Sequence, residues 1–145
     1  MELKTKYHGI IKYDEDKIIT LSEGLLGFEH LKKYIIFSLK DNEDFKVIHS
    51  LEDESVGIVI MSPFLVRKDY EFNLSDKIVS KLKIKNEKEV AVYTTVTLNS
   101  DINKITTNLK APIVLNISSN LGKQIIIDNE SYNIKELLFK ENLKC

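Results

Sequence analysis

The chain has 145 residues, of which 43% are hydrophobic and 30% are charged, and its formal net charge is −1. This size predicts a single domain, 1–145, around one core, and the near-neutral balance lacks the basic excess of a nucleic-acid-binding protein. No apolar run approaches the ~20 residues that span a bilayer, and the N-terminus lacks the apolar centre of a signal peptide. The lone cysteine, Cys145, excludes an internal disulfide. We therefore expect a cytoplasmic protein without a membrane segment.

Short β-prone runs separated by turn residues dominate the chain and predict a mostly β fold. The candidate strands are 3–13, 17–21, 34–39, 45–51, 56–62, 89–98, KITTNL, APIVLNIS and QIIID. Short acidic connectors join 34–39, 45–51 and 56–62, which is typical of a meander, and SNLGK is predicted as a turn. About nine strands without alternating helices favour a small single-domain β-barrel or a sandwich.

Two segments are predicted to be helical. Asn73 or Ser75 is a candidate N-cap for a short helix through LSDKIVSKL, whose Leu74, Ile78 and Leu82 fall on one face. The C-terminal segment, 132–145, is predicted to form a short helix or a tail.

Nothing in the sequence points to catalysis, a cofactor or a metal. The histidines His8, His30 and His49 are scattered singly, without the spacing of metal ligands. GLLGFE lacks the ending of a phosphate-binding loop, so we interpret it as a turn that needs glycine dihedrals, with Leu25, Leu26 and Phe28 packing inward. The chain is therefore predicted not to be an enzyme.

Two charged segments are candidates for binding. The segment 41–54 carries six carboxylates and one lysine, a net charge of −5. It forms either ordinary solvated hairpin loops or an acidic surface that steers a basic partner and repels RNA phosphates. In KLKIKNEK, alternation predicts a strand with Lys81, Lys83 and Lys85 on one face, either a phosphate-tracking strip or an edge protected by lysines.

The segment TTNLKAPIVLN joins two β-prone stretches through Pro112, which predicts a corner or a bulge in the sheet. A plain corner leaves the side chains of Asn108 and Asn116 unexplained. Either they bond to backbone that the break leaves unpaired, or they frame part of a partner-binding edge.

Five features of the chain together resemble the flagellar assembly factor FliW family. They are GLLGFE (24–29), VIHSLEDESVGIVIMSP (47–63), TTNLKAPIVLN (106–116), GKQIII (122–127) and Tyr132. They occur in the family's order and cover nearly the whole chain. Leu26 stands where the family commonly has a proline, and His49 stands where the pattern usually has a glutamine.

The resemblance implies a small β-barrel-like protein that is not an enzyme and has two protein partners. Family members bind flagellin and the translational repressor CsrA, so that release from secreted flagellin frees the factor to antagonise CsrA and couples flagellin synthesis to assembly. The alternatives are a small β-barrel RNA-binding protein that uses the Lys81/Lys83/Lys85 face, and an accessory barrel with a small-molecule pocket. The leading interpretation expects no direct contact with nucleic acid.

This resemblance suggests roles for the remaining candidates. Glu52, Asp53 and Glu54 are predicted to present negative charge that disfavours RNA on CsrA. Flagellin is expected to bind either a groove for an amphipathic helix or an exposed sheet edge. The candidates for lining such a groove are Val66, Tyr70, Phe72 and Leu74, which alternatively only close one end of the barrel.

Overall fold

The computed structural model describes residues 1–40 and 42–139 and is built mainly of short β-strands. The strands are β1 (Glu2–Lys4), β2 (Ile10–Lys12), β3 (Ile19–Leu21), β4 (Lys33–Leu39), β5 (Asn42–Ser50), β6 (Gly57–Met61), β7 (Val90–Thr97), β8 (Thr106–Thr107), β9 (Ile113–Asn116), β10 (Leu121–Gln124) and β11 (Glu136–Leu137). In this part of the chain the only α-helix is α1 (Asp76–Lys81). None of the helices described is long and apolar enough to cross a membrane.

Seven strands close into a barrel, which confirms the predicted mostly β, barrel-like fold. The hydrogen-bonded order runs β7-β6-β5-β4-β3-β10-β9, and β9 pairs again with β7 to close the ring. All of these neighbours are antiparallel except β3 and β10. The β4–β5–β6 meander and β7 lie where the sequence predicts them.

The predicted strand 3–13 is wrong, because this segment folds back as the β1–β2 hairpin. Gly9 has a φ of +71°, a left-handed conformation that favours glycine. The hydroxyl of Thr5 accepts a hydrogen bond from the His8 amide at 2.8 Å and donates one to the Gly9 carbonyl at 2.6 Å. These local bonds turn the chain inside what looks like a continuous β-prone run.

The predicted turn SNLGK is also partly wrong, because β10 begins at Leu121. Gly122 is buried inside the barrel rather than exposed in a turn. A Cβ at this position would lie 2.4 Å from a methyl of Leu115 and 2.6 Å from one of Leu21. The glycine therefore allows close packing of neighbouring strands.

The C-terminal helix predicted for 132–145 does not form within residues 132–139. Glu136 and Leu137 instead pair antiparallel with Thr107 and Thr106 of β8. Cys145 lies outside the residues that the structure describes.

Apolar side chains fill the barrel and cover part of its outer wall. The inner core is Ile19, Leu21, Leu25, Leu31, Tyr34, Ile48, Ile60, Ile113 and Leu115. On the outer wall, Leu82 packs with Val114 and Ile125, and the side of α1 that carries Ile78 joins them. The helix prediction is confirmed, with Ser75 as its N-cap: the Ser75 hydroxyl accepts a bond from the Ile78 amide. A second layer outside β7 and β9 therefore positions the candidate site.

Candidate functional site

The acidic turn, residues 52–54, joins β5 to β6 and is held by one of its own carboxylates. A side-chain oxygen of Glu52 accepts backbone hydrogen bonds from Lys33 at 2.9 Å and Lys32 at 2.5 Å. These bonds to the charged form hold the pKa of Glu52 below its usual value. Glu52 thus fastens the turn to the start of β4, a structural task that the sequence pattern did not reveal.

The rest of the acidic turn is fixed by local bonds. Asp53 accepts bonds from the hydroxyl and the amide of Ser55, at 2.7 and 2.9 Å, and these bonds lower the pKa of Asp53. The hydroxyl of Ser50 accepts hydrogen bonds from the amides of Glu52 and Asp53. Glu54 is exposed, and among the described contacts its carboxylate has no hydrogen bond. Of the three predicted residues, Glu54 has the charge that is most available to a partner.

The other acidic connector lies at the opposite end of β5, so the two do not form one surface. Residues 42–44 belong to β5 itself rather than to a loop. Asn42 forms the last registered pair, with Leu39 of β4. The predicted loop is therefore shorter than expected, and Asp41 lies outside the described residues.

His49 is almost fully buried at the base of the acidic turn, with 1% of its surface exposed. Its Nδ1 lies 2.9 Å from the Ser50 carbonyl oxygen. The ring packs against Gly57 on β6, where an added Cβ would lie 2.5 Å from the ring. The His8 ring lies 6.2 Å away, so two of the three scattered histidines meet in space. No group of three possible metal ligands occurs in the described part of the chain.

The apolar groove is a cleft of about 590 Å³ between α1, the extended segment before it and the outer face of β7. It is lined by Phe64, Tyr70, Glu71, Phe72, Asn73, Leu74, Val79, Ile84, Lys85, Asn86, Glu87, Val90 and Val92. The predicted residues Tyr70, Phe72 and Leu74 thus come together. Val66 does not join them, because it lines a separate cleft of about 330 Å³ beside Phe45 and Met61.

Aromatic contacts stiffen one wall of the apolar groove. The ring of Tyr70 lies 5.7 Å from that of Phe72, 5.9 Å from Phe64 and 4.7 Å from Tyr132. Its hydroxyl donates to the Leu109 carbonyl at 2.6 Å, and burial raises the pKa of Tyr70, so the phenol stays protonated. Only 3% of Tyr70 is exposed, so this residue packs behind the wall of the groove and contributes little to its exposed surface.

Sequence reasoning missed several lining residues that come from other elements. Val90 and Val92 form the floor of the groove from β7, and Val79 contributes from α1. The alternation of β7 places these valines on one face, but the sequence does not show which element covers that face. Ile84 lies just past the helix, in a segment predicted to be a strand.

Asn108 and Asn116 both bond to backbone, over different distances along the chain. Asn108 is half-buried, and its side-chain oxygen accepts a hydrogen bond from the Lys110 amide at 2.9 Å. Asn116 is 1% exposed, and its side-chain nitrogen donates to the carbonyls of Leu82 and Lys83 at 2.8 and 3.1 Å. The geometry matches the structural explanation for both residues, and their role at a partner-binding edge stays a prediction.

The break at Pro112 is a bulge, in line with the prediction. β8 and β9 both pair with β7, but Val96 faces Thr107 whereas Tyr93 faces Ile113, a register difference of three residues. Pro112 directly precedes the first residue of β9. Its carbonyl accepts a bond from the Ile125 amide, but Pro112 has no N–H with which to return one, so the regular ladder is interrupted at this residue.

The predicted lysine strand does not form. Lys81 is the last residue of α1, and Lys83 has a left-handed φ of +57° in the following turn. Lys81 contacts the carboxylate of Glu23, which also bonds Lys123 at 2.7 Å. The bond from Lys123, together with that from Lys81, lowers the pKa of Glu23 to about 2. The three lysines therefore share no strand face. Both interpretations of this segment, a phosphate-tracking strip for RNA and a strand edge protected by lysines, lack the geometry that they require.

The GLLGFE turn is built as predicted, except at one residue. Gly24 and Gly27 have φ values of +67° and +88°, and Leu25 is 1% exposed. Phe28 packs against the inner core, but Leu26 is 51% exposed, so its predicted burial is wrong. A bond from the Phe28 amide to the Leu25 carbonyl closes a β-turn, and Leu26 lies at its outward corner.

Comparison with known proteins identifies the family. A family model described as "FliW protein" matches residues 2–138. The chain is 52% identical over 145 residues to the flagellar assembly factor FliW of Clostridium tetani (strain Massachusetts / E88), covering 100% of both chains. It is 52% identical over 141 residues to that of Clostridium botulinum (strain Okra / Type B1), covering 97% of this chain and 99% of the relative.

A solved structure gives the same result. The crystal structure of a flagellar assembly factor FliW superposes with a TM-score of 0.90 and 34% identity, covering 99% of this chain and 100% of the other. The sequence match and the shared barrel both extend over nearly the full length. The chain belongs to the FliW family of flagellar assembly factors.

Proposed function

We propose that this chain acts in flagellar assembly as a cytoplasmic regulatory protein, not an enzyme, that binds flagellin and the translational repressor CsrA in exchange. Binding to CsrA antagonises the repressor and so couples flagellin synthesis to flagellar assembly. The observation that carries the proposal is the apolar groove: an open cleft of about 590 Å³ with an apolar floor and a polar rim. Such a groove fits the apolar face of an amphipathic helix.

The groove is the proposed flagellin site. Its floor presents apolar side chains from β7 and α1, and its outer end includes Phe64, which is 46% exposed. Asn86 and Glu87 on the rim can meet the polar edge of a helix. The resemblance implies that flagellin offers helical, apolar termini, which have the matching chemistry.

The acidic turn is the proposed contribution to CsrA antagonism. Glu52 fixes the backbone of the turn, and Glu54 is exposed and makes no ion pair with any described residue. A negative charge held close to an RNA-binding surface disfavours phosphate there, because like charges across a shared surface cost several kcal/mol. The rigid attachment of the turn keeps this charge in place.

A pair of variants on α1 tests the groove. Val79 lines the groove, whereas the adjacent Ser80 is exposed and does not. We expect Val79→Glu to weaken flagellin binding at least ~10-fold, because a buried unpaired carboxylate costs well over 1.4 kcal/mol. Ser80→Glu adds the same charge beside the groove and should leave affinity nearly unchanged, as measured by calorimetric titration. Equal affinities for the two variants would reject the groove as the flagellin site.

Charge reversal tests the acidic turn. Glu54→Lys should weaken CsrA antagonism in an RNA-displacement assay, more strongly at low than at high salt. Glu15→Lys, at an exposed position on another turn, makes the same charge change as a control. Unchanged titrations of Glu54→Lys at low ionic strength would remove the acidic turn from the mechanism. A pull-down with CsrA, with and without flagellin, tests the exchange itself, and indifference to both proteins would reject it.

A further inference from the structure

The β10 strand continues past its regular end as the edge segment, residues 125–128. The amides of Ile125 and Ile127 bond to the carbonyls of Pro112 and Lys110 at 2.9 and 2.7 Å. These bonds keep the β9–β10 register, in which Gln124 faces Ile113. Because successive residues of a strand direct their backbone groups to opposite sides, the N–H and C=O of Ile126 point away from Lys110 and Pro112.

Within the described residues, no strand pairs with that side of the edge segment. β3 ends at Leu21, which faces Gly122, so the edge segment extends beyond it. No hydrogen bond in the described part of the chain engages the backbone of Ile126, and its side chain is 74% exposed. Natural proteins usually protect such an edge with lysine, proline or a covering loop, and residues 125–128 contain neither lysine nor proline.

A cleft beside the edge segment carries negative charge. It has a volume of about 550 Å³ and is lined by Glu71, Phe72, Asn73, Ile125, Ile126, Ile127, Asp128 and Asn129. Glu71 and Asp128 are exposed, and neither makes an ion pair with any described residue. The lining contains no cation. This cleft and the apolar groove share only residues 71–73.

We propose that the edge segment is a docking site for an extended, basic peptide segment of a partner protein. The peptide adds a strand to the barrel, pairs with the free backbone of Ile126, and places an apolar side chain beside that of Ile126. A lysine or arginine of the peptide pairs with Asp128 or Glu71. This surface is separate from the acidic turn and goes beyond the proposed exchange of partners, so either proposal can fail without the other.

The test uses the full chain and a designed seven-residue probe of alternating lysine and valine, blocked at both ends. We expect saturable binding, measured by NMR titration, with amide shifts confined to residues 124–129 and 71–73. A probe methylated on alternate backbone nitrogens should bind at least ~10-fold more weakly, because the loss of one backbone bond is worth about a factor of ten. Equal binding of the two probes overturns strand addition.

Three variants complete the test. Ile126→Pro removes the free N–H at a position where an edge strand tolerates proline, and it should abolish binding. Asp128→Lys should weaken binding several-fold, whereas Glu130→Lys, at an exposed position outside the cleft, should not. If Ile126→Pro fails to fold, the comparison of the methylated and unmethylated probes on the unaltered chain still tests strand addition. If the unaltered chain dimerises and Ile126→Pro abolishes the dimer, the edge segment binds a second copy of the chain. That result would overturn the proposal of a basic peptide partner.

Discussion

The acidic turn and the apolar groove differ in the sequence separation of the residues that hold them together. In the turn, Asp53 bonds Ser55 two residues away, and Ser50 bonds amides two and three residues away. The groove depends on bonds between distant segments. Tyr70 and Leu109 are 39 positions apart, Tyr132 and Glu71 are 61 apart, and Asn116 and Leu82 are 34 apart.

This difference sets how each surface responds to mutation. A turn held by local bonds loses one or two contacts when a residue changes, and the rest of the fold is little affected. A groove assembled from distant segments depends on buried polar groups that join them, and a buried group left without a partner is costly. We therefore expect the largest effects where the groove is held together.

The sharpest contrast is between the two asparagines. Asn116→Ala removes the two bonds to the carbonyls after α1 and the bonds that the Asn116 side-chain oxygen accepts from the Ser118 and Ser119 amides. Because one buried side chain makes all of these bonds, we expect the free energy of unfolding to fall by about 2–4 kcal/mol. Asn108→Ala removes one bond within a local turn and should cost about 0.5–1 kcal/mol. Urea denaturation monitored by circular dichroism measures both. Equal losses would show that the long-range bonds of Asn116 carry no special weight.

The same contrast explains what the sequence could predict. Alternation and turn residues located β4 to β7 and the capped helix at Ser75, because these signals act within a few residues. They also placed Glu52, Asp53 and Glu54 in one turn. The sequence did not show that Glu52 is bonded to the start of β4, or that Val66 faces a different cleft from Tyr70.

The failures have the same physical origin. Gly122 resembles a turn residue in sequence, but it is needed for contact with Leu115 and Leu21, which only the closed barrel brings together. The lysine strand was predicted from alternation in KLKIKNEK, whereas α1 ends there and Asn116 binds the carbonyls of the turn. In both cases a tertiary contact overrides the local pattern.

Acid should weaken the one distant attachment of the acidic turn. The pKa of Glu52 is lowered in the folded state, so its contribution is present above the unfolded value, ~4.3, and is lost as pH falls through the folded value. Glu52→Gln lacks this titration, so its unfolding free energy should fall less than that of the unaltered chain between pH 6 and pH 3, in the ~1 kcal/mol range of surface groups. Glu54→Gln, which removes a carboxylate without backbone bonds, should follow the unaltered chain. Parallel pH profiles for all three proteins would contradict the bracing role of Glu52.

The smallest effect is expected at the 25–28 turn, which combines the two kinds of contact. Its corner residue, Leu26, donates its amide hydrogen to the side chain of Gln124, 98 positions away, at 2.9 Å. Gly27, with a φ of +88°, makes this a type II turn, in which proline is favoured at the position of Leu26. Leu26→Pro should therefore gain about 0.4–1 kcal/mol by restricting the unfolded chain and lose about as much with the hydrogen bond.

A double-mutant cycle separates these two terms. In the unaltered chain the two terms nearly cancel, so Leu26→Pro should shift the urea midpoint little. In a Gln124→Ala background the acceptor is already absent, and the same substitution should raise stability by about 0.4–1 kcal/mol. An identical change in both backgrounds would mean that the bond to Gln124 contributes nothing. The 25–28 turn would then be as locally determined as the 53–55 part of the acidic turn, and proline at position 26 would only stiffen the loop.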